Sequence, residues 1–287
     1  MSFEISTAFV NQFRDTVMML AQQRGSKLRG TFMEDTLTGK TMFFDQISPT
    51  QAQRTTTRHA DSPLISTPHR RRSVSTIDVE WGDLIDDFDK LKMLIDPQSA
   101  YSQNAAWAVG REMDDIMFEK FFATVPTGQD NSGTAAFPAS QQVDLNSTGL
   151  NVDKLREARK ILLQNEVDLD MEMPIIAIPA KAQDDLLNQT EVTSSDFNTV
   201  RALVQGEIDT FLGMRFIRTE RVPTDESGNY RIPVWVPSGM ALATSKEPTA
   251  QIAPRPDKRF STYIYYSMSV GATRLEEEKV VEIKAQS

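Results

Sequence analysis

The chain has 287 residues, 39% of them apolar and 25% charged, with a net charge of −9 and no cysteine. That length supports a sizeable core in one large or two ordinary domains, and the lack of cysteine excludes disulfides, thiolate catalysis and cysteine metal sites. A surplus of acids opposes a grip on DNA phosphate, though it is compatible with enclosing nucleic acid without holding it.

No apolar run approaches the roughly 20 residues that cross a bilayer. The stretch MSFEISTAFVNQF has neither the basic nor the apolar region of a secretory signal. Residues 4–23 read as an amphipathic helix, with Phe9, Phe13, Val17 and Leu20 at three- and four-residue spacing. Such a helix is marginal alone and docks on its own domain or on a neighbour. TMFFDQI (41–47) is β-prone. Next comes SPTQAQRTTTRHADSPLISTPHRRR (48–72), rich in threonine, proline and arginine, which favours extended backbone. SVSTIDVEW (73–81) alternates, with Ile77, Val79 and Trp81 on one side and Asp78 and Glu80 on the other. Two strands around a polar tip predict an extended β-hairpin over 31–81. A projecting two-stranded hairpin needs an outside surface to lie on.

Residues 83–95 read as a short helix carrying Leu84, Phe88, Leu91 and Ile95 on one face. Pro97 opens the longest helix, 97–124, which spans roughly 40 Å at 1.5 Å per residue. Its apolar stripe is Ala106, Val109, Met113, Ile116, Met117 and Phe121, and Pro126 and Gly128 follow its end. Beyond a Gly/Asn/Ser loop the pattern alternates. Helices are predicted in NVDKLREARKILLQNEV, AKAQDDLLNQ and NTVRALVQ, and strands in MPIIAIP, MRFIRTERVP, NYRIPVWVP and GMALATS. This segment, 151–244, reads as its own α/β domain, inserted between 82–150 and 245–287. The tail is strand-rich (FSTYIYYSMSVGATRL, KVVEIKA), suited to a sheet packed on the long helix. The whole is α+β.

No GxGxxG, Walker, GxSxG or HExxH signature occurs. His59 and His69 lie in the polar hairpin segment, without a pocket or an orienting partner. Asp168, Asp170 and Glu172, and the stretches DNSG (130–133) and DESGN (225–229), have oxygen ligands for Mg²⁺ or Ca²⁺ but also the composition of ordinary turns. No cofactor is expected. Arg54, Arg58, Arg70, Arg71 and Arg72 form a basic cluster with three readings: phosphate contact, a solvated patch, or pairing with carboxylates of another copy. Interleaved aromatics for base stacking are missing. Asp83, Asp86, Asp87 and Asp89 supply matching anions, so inter-subunit pairing is the reading adopted for these nine residues. Exposed pairs of this kind set register more than they add affinity.

The order of parts resembles the HK97-like major capsid proteins of tailed double-stranded-DNA phages. WGDLIDDFDKLKMLIDPQSAYSQNAAWAVGREMDDIMFEKFF is similar to the approach into the spine helix of podovirus-type capsid proteins, and QGEIDTFLGMRFIRTERVP to a late A-domain strand. The resemblance implies an N-terminal arm (1–30), an E-loop (31–81), a P-domain with the spine helix (82–150 and 245–287) and an A-domain (151–244). It implies hexamers and pentamers in an icosahedral head assembled in the host cytoplasm, with an E-loop lying over the next subunit. Packaged double-stranded DNA is enclosed without tight binding, and no membrane partner is expected. No lysine lies between Lys40 and Lys90, so the E-loop lysine cross-link of some members is not supported. The short arm implies a separate scaffolding protein, alongside a portal. Two other readings stand beside this one: an encapsulin-like nanocompartment shell, and a metal-dependent enzyme using the Asp-rich segments.

Overall fold

The computed structural model describes residues 21–54, 62, 64–85, 98–188 and 210–287. Two elements dominate it. Helix α1 (Gln98–Phe122) lies across a long antiparallel ribbon of β12 (Met240–Pro254) and β13 (Thr262–Arg274). Strand β4 (Ile77–Ile85) pairs antiparallel with β13, and short β1 (Met33–Thr36) parallel with β12, in the order β1-β12-β13-β4. The buried apolar residues of α1 are Ala105, Val109, Met113, Ile116, Met117, Phe118 and Phe121. Ala106, expected among them, is exposed.

The second sheet has six strands in the order β7-β14-β11-β8-β10-β9. These are β7 (Gln142–Val143), β8 (Ile175–Ile178), β9 (Thr210–Phe211), β10 (Met214–Arg218), β11 (Tyr230–Trp235) and β14 (Val280–Ala285). Helix α2 (Val152–Gln164) buries Leu155, Ala158 and Leu162 and is capped by the Asn151 side chain, as N-cap chemistry favours. Val152 is half-buried. Helix α3 (Ala180–Leu187) follows β8. Strand β14 pairs with β11 and β7, so this part of the tail joins the α/β sheet and not the sheet on the long helix.

One core serves both sheets. At its centre Phe121 of α1 packs on Trp235 of β11 at 4.8 Å between ring centroids and edge-on to Phe32 at 5.4 Å. The Trp235 indole donates to the Thr31 carbonyl, which satisfies its buried N–H. The segment before β1 is strapped to α1. The buried Asp114 carboxylate accepts from the Gln23 and Ser26 side chains and from the backbone N–H groups of Lys27 and Leu28. Arg111 donates to Gln22 and to the Gln23 carbonyl. Gly110 allows this approach, because a Cβ there would sit 2.7 Å from Gly25 Cα.

The third sheet is the hairpin. Strands β2 (Thr41–Ile47) and β3 (His69–Ser75) pair antiparallel, and β5 (Val125–Thr127) and β6 (Gly133–Ala135) extend the sheet in the order β2-β3-β5-β6. The strand expected over 73–81 is two strands broken at Thr76. At the break the chain crosses β13, where a Cβ on Gly271 would lie 2.2 Å from the Ser75 carbonyl oxygen. The helix expected from residue 83 is also corrected: Asp83, Leu84 and Ile85 end β4, opposite Ile264, Tyr263 and Thr262. Ladder pairing to β13 there outweighs the helical spacing of the apolar residues. Residues 86–95 of that expected helix, the arm helix up to residue 20 and the helix in NTVRALVQ lie outside the described residues.

Candidate functional site

The sequence pointed to the arginines of the hairpin as the interaction site, and the strand register decides their fates. Side chains alternate between sheet faces, so Arg71 points opposite to Arg70 and Arg72. Arg71 sits directly across from Asp45. It donates to both carboxylate oxygens, at 2.5 and 3.2 Å, with its guanidinium over the Phe43 ring. That hydrogen bond and charge hold the Asp45 pKa below the usual carboxylate value and raise that of Arg71. The pair is exposed and fixes register more than it stabilises.

Arg72 turns inward and is buried. It donates to both oxygens of Glu277 at 2.7 Å and to the Leu275 carbonyl. Glu277 also pairs with fully buried Arg274. Arg274 reaches the end of the long helix, donating to the carbonyls of Phe121 and Ala123 and to that of Ala135. A cation at a helix C-terminus meets the negative end of the dipole and satisfies free carbonyls. Burial lowers the Arg274 pKa, Glu277 raises it, and Arg72 lowers it again. The middle of the hairpin ladder is thus bolted to the end of the long helix through Arg72, Glu277 and Arg274.

All three stand on the half of the β2–β3 ladder next to the 48–68 segment, but they do not form one free patch, because two of them have partners in their own chain. Arg70 and Arg54 are exposed. Arg70 lines an open groove of about 960 Å³ with Ile47, His69, Thr127 and Gln129. Asp83 is half-buried in β4. Arg58, Asp86, Asp87, Asp89 and His59 lie outside the described residues. Glu277, Arg274 and Asp114 were missed from sequence. Asp114 left no distinguishing signal, because Glu112 and Asp115 flank the same stripe and neither is buried. The other Asp-rich stretches form turns. Asp168 accepts from the N–H groups of Asp170 and Met171, and Glu172 from that of Ser238. Asp225 accepts from Ser227 and Asn229.

The chain is similar to the capsid structure of the cyanophage P-SCSP1u, with a TM-score of 0.78 at 16% identity, over 100% of this chain and 96% of that one. The capsid of Ralstonia phage GP4 matches with 0.75 at 10% identity, over 97% and 95%. The capsid of cyanophage Pam1 matches with 0.73 at 12%, over 99% and 98%. At these identities the likeness speaks for the fold, the α+β HK97-like capsid fold that the order of parts implied. No curated protein matches. The phage capsid protein family matches residues 5–286, and the chain belongs to that family. It is a capsid shell protein and a component of the virion, which decides against the nanocompartment reading. Among the described residues no helix is long and apolar enough to cross a membrane.

Proposed function

We propose that the chain is the subunit of hexamers and pentamers that close into the icosahedral head of a tailed double-stranded-DNA phage, assembled in the host cytoplasm. The observation that carries this reading is the bolted hairpin. A two-stranded hairpin is marginal by itself, yet here its ladder is tied at Arg72 to the end of the long helix and to β5. A ladder anchored in this way can hold residues 48–68 against a neighbouring copy. Arg54 and Arg70, with Arg58, then meet carboxylates of that neighbour, drawn from Asp83, Asp86, Asp87 and Asp89. Arg71 keeps Asp45 while contributing to the patch, and Arg72 acts by fixing its angle. A separate scaffolding protein and a portal complete the assembly. DNA is enclosed by a subunit of net charge −9 that does not grip it, and the role is structural, without catalysis.

Electron microscopy of the purified chain assembled with its scaffolding protein tests the reading. Closed shells of one size are expected, and a subunit that stays monomeric under all assembly conditions overturns it. Binding to linear DNA is expected to be weak with almost no dependence on salt. A steep negative slope would instead favour a DNA-binding role. The Arg54→Ser/Arg70→Ser variant is expected to fold like the wild type and to assemble poorly, as seen by sedimentation.

A further inference from the structure

We draw no further inference here: the strongest candidate, the open groove of about 960 Å³ beside β3 that Ile47, His69, Arg70 and Gln129 line, belongs to the hairpin site already described, where Asp45 and Glu277 of the same chain answer Arg71 and Arg72 and nothing in the structure shows what covers the rest.

Discussion

Replacing Gly110 by alanine sets helix propensity against packing. In a bare helix the change gains about 1 kcal/mol. Here the new methyl would lie 2.7 Å from Gly25 Cα and Ser26 N, whereas ordinary contact begins at 3.4 Å. The strap must retreat by about 0.7 Å (3.4 − 2.7). The bonds from Lys27 N and Leu28 N to Asp114, now 2.9 and 3.1 Å, then stretch past hydrogen-bonding range. Overpacking costs about 1–3 kcal/mol, and weakening two hydrogen bonds to a buried carboxylate about 1–2 more. The balance is a loss of roughly 1–4 kcal/mol, against the sign of propensity. Urea unfolding of the subunit is expected to show a lower midpoint for Gly110→Ala. Trypsin is expected to cut faster at Arg24, Lys27 and Arg29 as the strap loosens. A midpoint equal to or above the wild type, with unchanged cleavage, would refute the close-approach argument.

Arg274→Met leaves the carbonyls at the end of α1 without their donor and Glu277 with Arg72 alone, so a loss of about 3–5 kcal/mol is expected in equilibrium unfolding. Arg72→Met leaves Glu277 paired with Arg274 and is expected to cost less; the opposite order would contradict the bolt. Arg72→Ser weakens the subunit itself, so an assembly defect in that variant would not isolate an interface. At the 225–229 turn, the Asn229 side chain and the N–H groups of Asn229 and Ser227 lower the Asp225 pKa below 3.8. A depressed carboxylate pKa stabilises above the unfolded value and loses its effect as pH falls through the folded one. NMR titration is therefore expected to place the Asp225 midpoint below 3.8, and Asn229→Ala to move it upward. A wild-type midpoint at or above 3.8 would remove the assignment.

Much of the fold was legible because period and burial coincide. The 3.6-residue stripe Val109–Met113–Ile116–Met117 marks α1, and Leu155–Ala158–Leu162 marks α2. The short apolar run Ile175–Ile178 is a fully buried strand, and TMFFDQI is β2 to the residue. The break at Thr76 was not legible, because alternation runs through 73–81 without interruption. Its cause is a close crossing over Gly271, almost 200 residues downstream. Asp83–Ile85 misled because Leu84, Phe88, Leu91 and Ile95 carry helical spacing while β13 supplies a ladder that local sequence cannot show. The arginines misled for a related reason. Composition shows a run of charge, but only the hairpin register separates outward Arg71 from inward Arg72, and Glu277 lies 205 residues away.

The placement of β14 governs when this molecule can come into being. Residues 280–285 lie between β7 and β11, and all but Lys284 are buried. A chain still on the ribosome has β7 and β11 but not the strand that joins them. The six-stranded sheet, and the shared core around Trp235, can close only after residue 285 has emerged. Such late, long-range pairing makes folding slow. It also delays the appearance of a finished assembly surface until synthesis of the chain through β14 is complete, so nascent subunits are kept from joining a growing shell half-made.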